Sequence, residues 1–252
     1  MRVLTIAARE CRALFGTATA WLLLAAVQLV IGFIFLLHLQ TYLQVQPQLL
    51  DAGGGPGVTA FLLPRLYGAS AMVHLFALPL VTMQLIAGER RRGTLPLLLG
   101  APVSTFEIVL GKYLGALAIA AAMAALTAIM PATLAGFTDL DGGALALAML
   151  GHTLFLAATA GVGLYLSTLT REPALAAGGT LGALLGLLLL GEWGRTLEGA
   201  WSALLTWPAP VTHLDPFLSG LFDSAALAYL VLFAGLFVTL AVRRLDNDRL
   251  QR

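Results

Sequence analysis

Few residue patterns in this sequence could support covalent or nucleotide chemistry. Gly111-Lys112 is followed by Tyr113, so it lacks the upstream glycine and the Ser or Thr of a phosphate-binding loop. There is no His-Glu-x-x-His pattern, and the single cysteine excludes a disulfide scaffold or a cysteine-based zinc cluster. Asp139 and Asp141 stand in a short turn without further ligands, and we interpret them as solvated. We therefore expect no catalytic residue, no metal site and no cofactor bound by this chain.

Three polar side chains within long apolar stretches form a second group of candidates: Gln28, His74 and Gln84. They could line a substrate path, and His74 is the best single candidate because it lies near the middle of its stretch. The alternative is hydrogen bonding to neighbouring helices, which is common for polar residues inside membranes. The sequence leaves both open. The interiors of these stretches hold no Asp, Glu, Lys or Arg, which argues against a membrane enzyme or a proton-coupled carrier.

The elements that must position these side chains are membrane helices. Hydrophobic residues make up 59% of the 252 residues and charged residues 11%, whereas an average soluble domain has about 25% charge. The net charge of +1 gives no overall attraction to nucleic acid. A membrane-spanning helix needs about 20 mostly apolar residues, and the chain offers six such stretches within one membrane domain, 1–252. The predicted spans are about 18–39, 66–88, 113–137, 144–170, 173–191 and 224–242.

Charge and aromatic patterning predict the orientation of these spans. With the amino terminus inside the cell, twelve basic residues lie in the inner segments and two in the outer segments. This bias predicts that both termini are cytoplasmic. A helix formed by residues 1–16 would have a basic face and an apolar face. This pattern predicts an amphipathic helix at the inner membrane surface; the alternative is a continuation of the first span. Residues 192–223 contain three tryptophans and predict an outer interfacial segment.

The longest predicted inner segment between spans is 89–112. The Thr94 side chain is predicted to cap a short helix that ends by Gly100, and Ser104 with Glu107 forms a capping box for the next helix. Apolar side chains in such a cytoplasmic helix favour a docking surface for another protein; the alternative is that the helix folds back onto the membrane. The apolar side chains are those of Leu95, Leu97, Leu98 and Leu99.

The predicted fifth span carries glycines at a spacing of four, namely Gly178, Gly182 and Gly186. Residues at this spacing share one face of a helix, and small residues there let two helix backbones approach closely. The pattern favours tight helix packing, either within the chain or between two subunits.

The segment 79–115 contains the motifs Pro79-Leu80-Val81-Thr82-Met83, Gly88-Glu89-Arg90-Arg91-Arg92-Gly93-Thr94-Leu95, Leu97-Leu98-Leu99, Ala101-Pro102-Val103-Ser104 and Glu107-Ile108-Val109-Leu110-Gly111-Lys112. With these motifs the segment resembles the membrane subunit of ABC type-2 transporters. The remainder of the chain is similar more loosely, and the gliding-motility-type permeases and those linked to multi-copper-enzyme maturation look most alike. One departure is Pro96, where relatives usually carry an acidic or polar residue.

The resemblance implies a permease subunit of an exporter in the bacterial cytoplasmic (inner) membrane, without a catalytic site of its own. Its partners would be two copies of an ABC ATPase, which would bind ATP and Mg, and a second permease subunit, the same or related. An outer or periplasmic accessory protein is a further partner that the resemblance allows. The alternatives are a permease for multi-copper-enzyme maturation cargo, or a mechanotransmission or scaffold subunit that moves an outer partner. The residues that the resemblance assigns to ATPase coupling are Glu89, Arg92, Gly93, Thr94, Leu95, Leu98, Leu99, Pro102, Val103 and Ser104.

Overall fold

A computed structural model describes residues 2–51 and 57–250, and within these ranges the chain forms helices and no strands. Residues 1, 52–56 and 251–252 of the predicted membrane domain lie outside the described residues. A 3-10 turn at Thr133–Gly136 follows α6. The α-helices are α1 (Arg2–Phe15), α2 (Ala18–Asp51), α3 (Val58–Thr82), α4 (Ala87–Arg92), α5 (Leu95–Gly100), α6 (Thr105–Ala132), α7 (Gly142–Leu169), α8 (Pro173–Arg195), α9 (Ala200–Thr206), α10 (Asp215–Leu218) and α11 (Ser224–Leu250).

Six of the described helices are long and apolar enough to cross a membrane: α2, α3, α6, α7, α8 and α11. This confirms the predicted all-helical membrane protein with six spans. The helix α3 begins at Val58, whereas the predicted span begins at residue 66. The difference arises because the charged residue Arg65 lies within the helix. The Arg65 guanidinium donates to the Phe61 carbonyl oxygen over 2.7 Å and lies 3.7 Å from the centre of the Phe61 ring. The predicted span began directly after Arg65 because charged residues were taken to end a span, and the helix begins before that residue.

The amino-terminal helix α1 is separate from α2. The chain bends at Gly16, where an added Cβ would lie 2.6 Å from the carbonyl oxygen of Arg12. One face of α1 packs on α6 at a glycine notch, since a Cβ on Gly111 would lie 2.6 Å from Ile6 Cγ2. A Cβ on Gly115 would lie 2.6 Å from Glu10 Cβ. Glycine at both positions allows this close approach, and α1 is thereby fixed against the bundle.

The helix α7 is central and packs against α3, α6, α8 and α11. Its small residues allow the neighbours to approach closely, and large side chains such as Tyr67, Phe155 and Leu156 fill the interior. By contrast, most residues in the apolar windows of α2, α8 and α11 are partly or fully exposed in the single chain. Such exposure fits helices that face lipid or another subunit.

The predicted outer segment, 192–223, folds over one end of the bundle. The helix α8 continues into it as far as Arg195, and α9 and α10 follow. The Tyr229 hydroxyl donates to the Pro208 carbonyl oxygen over 2.7 Å, and His213 stacks on the Tyr229 ring with 3.7 Å between ring centres. The tryptophan side chains of this segment are largely exposed: Trp193, Trp201 and Trp207. We call this end of the molecule the α9–α10 end.

Both described chain ends lie together at the opposite end of the bundle, which we call the α4–α5 end. Arg2 Nη1 in the first turn of α1 donates to the Pro102 carbonyl oxygen over 2.5 Å. Arg249 Nη1 in the last turn of α11 donates to the neighbouring Val103 carbonyl oxygen over 3.3 Å. The loop after α5 is therefore held by the first and the last described helix.

Candidate functional site

A glycine in the left-handed conformation ends α4 and begins the turn into α5. Gly93 has φ 70°, and its N–H donates to the carbonyl oxygens of Arg90 and Glu89. A side chain would strain the backbone at this angle, so glycine is favoured here. The Thr94 N–H donates to the Glu89 carbonyl oxygen over 3.0 Å. The prediction that the Thr94 side chain caps α5 is wrong, because its hydroxyl donates back to that carbonyl over 3.3 Å.

The short helix α5 divides its leucines between two faces. Leu95 and Leu99, one turn apart, are 2% and 4% exposed and belong to the main core cluster. Leu98 is partly buried against the same cluster. Leu97 points away from the bundle and is 78% exposed. The four leucines thus do not form one docking patch: three anchor the helix and one is presented to the surroundings.

The first turn of α6 is fixed by the capping box that the sequence predicts. Ser104 Oγ accepts the Glu107 N–H over 3.1 Å, and the Ser104 N–H donates to Glu107 Oε2 over 2.9 Å. The adjoining Pro102 and Phe106 are exposed. The capped turn therefore holds exposed apolar groups on a rigid backbone.

Four charged side chains join α1, α4 and α6 next to this surface, and all but Arg9 are buried. Lys112 is 1% exposed, and its Nζ lies 2.7 Å from Glu10 Oε1 and 2.7 Å from Glu89 Oε1. Arg9 Nη2 lies 3.4 Å from Glu89 Oε1 and 3.9 Å from Glu10 Oε1. The two buried carboxylates thus share one buried cation, Lys112, and the largely exposed Arg9 supplies the second positive charge at the edge. We call Arg9, Glu10, Glu89 and Lys112 the charge cluster.

A second ion pair connects α4 to the carboxyl-terminal helix. The guanidinium of Arg90 pairs with the Asp248 carboxylate, and both side chains are largely buried. Arg244 Nη2 lies 4.0 Å from the same carboxylate. The pair between Arg91 and Glu172, at 3.7 Å, is by contrast well exposed. α4 is therefore tied to α11 as well as to α1 and α6.

One hydroxyl on α7 holds the junction between α3 and α4. Ser167 Oγ accepts the N–H groups of Ile86 and Ala87 over 3.1 and 2.9 Å. The same hydroxyl donates to the Met83 carbonyl oxygen over 2.9 Å. These backbone groups have no partner within a helix, because α3 ends at Thr82 and α4 begins at Ala87. Ser167 satisfies them where water is excluded.

The structure distributes the residues that were assigned to ATPase coupling over three depths. Those at the surface are Arg92, Gly93, Thr94, Pro102 and Ser104, those partly buried are Leu98 and Val103, and those buried are Glu89, Leu95 and Leu99. The buried members anchor the α4–α5 turn, and the surface members are free to contact a partner.

The three candidates for a substrate path do not lie together. Gln28 Nε2 donates to the Leu126 carbonyl oxygen over 3.0 Å and so joins α2 to α6. His74 is fully buried, and its Nδ1 lies 3.0 Å from Nε2 of His152 on α7. Gln84 is exposed beside α4. Gln28 and His74 therefore make helix-to-helix hydrogen bonds, and Gln84 alone faces open space.

The glycine face of α8 contacts no other part of the described chain. A Cβ added to Gly178, Gly182 or Gly186 would meet no atom within 4 Å. Among the described residues, the close packing that the glycine spacing predicts is thus not made within the chain. This face remains available to a second chain.

The sequence reasoning missed three residues that hold the site: Glu10, Lys112 and Ser167. A signal for the first two was present, because α1 carries a single acidic residue among its arginines and Gly111 and Gly115 flank Lys112. Glycines beside a lysine indicate that another helix packs closely there, and a lysine buried by that packing needs a counter-charge. Nothing in the local pattern around Ser167 indicates its role, since that role depends on a break in a distant helix.

Comparisons with known proteins agree with this architecture. A family model described as "ABC-2 family transporter protein" matches residues 6–221. Two curated relatives, from Escherichia coli K12 and Escherichia coli O157:H7, carry the name "Probable multidrug ABC transporter permease YbhR". Each is 29% identical over 155 residues, which cover 61% of this chain and 41% of the relative. The matched region thus spans less than half of either relative.

Proposed function

This chain belongs to the ABC-2 family of transporter proteins, and from that premise we propose that it is the permease subunit of an ATP-driven exporter. It is a multi-pass membrane protein with six apolar helices. In the proposed complex, two copies of a separate ABC ATPase bind ATP and Mg, and this chain supplies the path across the membrane. The bacterial inner membrane is its proposed location.

The observation that carries the proposal is the exposure of Leu97 on an anchored helix. Leu95 and Leu99 fix α5 in the core, while Leu97 is 78% exposed. Exposed apolar side chains grouped on a rigid support favour a protein docking site, and Pro102 and Phe106 beyond the turn are exposed as well. We assign Leu97, with Pro102 and Phe106 beyond the turn, to the contact with the ATPase.

The supports behind this surface suggest how a push on α5 would reach the spans. Leu95 and Leu99 transmit force into the core, and the charge cluster connects α4 to α1 and α6. The pair between Arg90 and Asp248 reaches α11. A movement of the α4–α5 turn would then displace several spans together, because packed interiors transmit strain.

The orientation and the pairing of subunits follow from charge and from the glycine face. Basic residues are concentrated at the α4–α5 end, so we place this end and both termini in the cytoplasm.

A second permease, identical or related, would pack against the open face of α8. The name of the curated relatives supports a small organic compound as cargo, and the family supports export.

Co-purification from native membranes tests the proposal. The wild-type chain should bring down an ATPase with a phosphate-binding loop. Leu97→Glu should lose the ATPase while still inserting, whereas the control Leu221→Glu at the α9–α10 end should retain it; Leu221 is also largely exposed. A wild-type chain that carries no ATPase would contradict the proposal, and an ATPase retained by Leu97→Glu would remove the assigned contact.

A further inference from the structure

A cleft at the α4–α5 end opens between the bend after α1, the first turns of α2 and the end of α3. Its volume is about 600 Å³, which lies in the range of pockets for small organic ligands. The walls are mainly apolar, which suits the hydrocarbon part of a ligand. The apolar residues that line it include Leu14, Leu23, Leu80, Leu85 and Ile119.

One rim of the cleft is polar and lies beside a glycine. A Cβ built on Gly88 would lie 3.7 Å from Arg92 Nη2 and 3.9 Å from Gln84 Oε1. The guanidinium of Arg92 and the amide of Gln84 therefore flank the same notch, each from a residue four positions away from Gly88. Both side chains line the cleft and both are exposed.

The charge at this rim is positive and uncompensated. Among the described residues Arg92 has no ion-pair or hydrogen-bond partner, in contrast to Arg90 and Arg91. Glu10 also borders the cleft, but its carboxylate is already held by Lys112 at 2.7 Å. A cationic ligand would thus find no free carboxylate here, whereas an anion would find a free guanidinium, which binds phosphate and carboxylate groups well.

We propose that this cleft binds an amphiphile with an anionic head group, with the head at Arg92 and Gln84 and the alkyl part against the leucine wall. The proposal deepens the proposed function by naming a class of compound that the permease binds. The cleft adjoins the exposed apolar face of α2, so the ligand enters from the lipid leaflet at the α4–α5 end. Arg92 directly precedes Gly93, and an occupied cleft therefore touches the turn that leads to α5.

Equilibrium binding tests this inference without ATP. The full-length chain, with any subunit that co-purifies, is reconstituted in bilayers of neutral phosphatidylcholine and titrated with dodecyl phosphate. Dodecylphosphocholine has the same alkyl chain and serves as the zwitterionic comparison. We expect dodecyl phosphate to bind at least about tenfold more tightly, and Arg92→Gln to remove about tenfold of its affinity, because a charge-assisted contact is lost.

Two further variants separate the head-group contact from a general loss of fold. Arg91→Gln removes a neighbouring charge that does not line the cleft and should leave the affinity unchanged. Leu80→Trp fills the wall and should weaken both ligands, while the thermal midpoint reports whether the variant folds. Equal binding of the two ligands, no binding of either, or an Arg92→Gln affinity equal to wild type would overturn the inference.

The source of the amphiphile is resolved in a last titration with phosphatidylglycerol in the bilayer. Displacement of dodecyl phosphate assigns the cleft to an anionic bilayer lipid, and unchanged binding assigns it to a single-chain amphiphile; either result supports an anionic head-group site. The proposed function fails separately. A chain that binds dodecyl phosphate but recruits no ATPase contradicts the transporter proposal alone, and the reverse result contradicts the cleft alone.

Discussion

Lys112 and Glu89 lie 2.7 Å apart in the interior of the α4–α5 end, and each is at most 5% exposed. The same ammonium group reaches Glu10 at 2.7 Å, so one lysine neutralises carboxylates from two other helices. A charge removed from such a cluster leaves its partners buried and unpaired, which costs more than the pair itself contributes. The stability of this end therefore depends on the balance within the charge cluster.

Lys112→Met should destabilise the protein by about 3–5 kcal/mol, because Glu10 and Glu89 would remain buried without their main cation. Thermal unfolding in detergent measures the effect. The triple variant Glu10→Gln, Glu89→Gln, Lys112→Met removes the charges together and should recover much of the loss. Arg91→Ala breaks an exposed pair at 3.7 Å and should cost at most about 1 kcal/mol. Equal losses for Lys112→Met and Arg91→Ala would contradict the structural role of the cluster.

The docking of α1 on α6 depends on the absence of side chains in the notch. A Cβ on Gly115 would lie 2.6 Å from Glu10 Cβ, a distance that forces the helices apart. Gly115→Ala should therefore loosen α1 and increase the rate at which a maleimide modifies Cys11, the only cysteine of the chain and a partly buried one. Gly182→Ala adds a methyl group where no atom of residues 2–51 or 57–250 lies within 4 Å, and it is the matched control. An unchanged labelling rate in Gly115→Ala would argue against the contact.

Some of these features follow from the sequence because they depend on neighbours within a few residues. The six spans follow from uninterrupted apolar stretches, and the capping box of Ser104 and Glu107 follows from a local pattern. Arg65 shows the limit of the charge criterion, since its guanidinium bonds to its own helix and lies on a ring. The pairing of Lys112 with Glu10 joins residues far apart in the chain, and no local pattern specifies which carboxylate meets which cation.

The sequence could not predict which leucines of α5 are buried and which is exposed, because this too depends on contacts with distant parts of the chain. Leu95 and Leu99 stand four residues apart and share a face, but a single helical turn leaves open which face the bundle covers. Leu97 becomes the exposed residue because Gly93 sets the direction of the chain before α5. That direction depends on contacts of α4 with several other helices, among them α1, α6, α7 and α11.

Ser167→Ala should lower stability by about 1–3 kcal/mol, since the N–H groups of Ile86 and Ala87 would lose their acceptor in a site that excludes water. Thermal midpoints compare it with Thr239→Ala, whose hydroxyl donates only to the Gly235 carbonyl oxygen on its own exposed helix face. Thr239→Ala should change little. A Ser167→Ala variant as stable as Thr239→Ala would show that water replaces the hydroxyl.

His74 and His152 provide a test between a structural role and a place on the substrate path. Their nitrogens lie 3.0 Å apart and both rings are fully buried. Each single change to Ala should destabilise the fold, and the double variant should cost less than the sum, because residues in direct contact are not additive. A double-mutant cycle on thermal unfolding gives the coupling. Full additivity of the two destabilisations would contradict the pairing. A His74→Ala variant with altered cargo affinity at unchanged stability would indicate that His74 lines the substrate path.

The open glycine face of α8 predicts where a second permease packs. Gly178→Leu and Gly182→Leu should leave the folded monomer stable, because no atom of the described chain lies within 4 Å of a Cβ at either position. The same changes should reduce the dimer fraction, since bulky residues hold helix backbones apart. Native mass spectrometry measures both properties in one sample. Leu232→Ala on α11, a largely exposed residue on another helix, is the control and should not alter assembly. A dimer fraction equal to wild type in both glycine variants would place the interface on another helix, and the exposed face of α2 would then be the next surface to test.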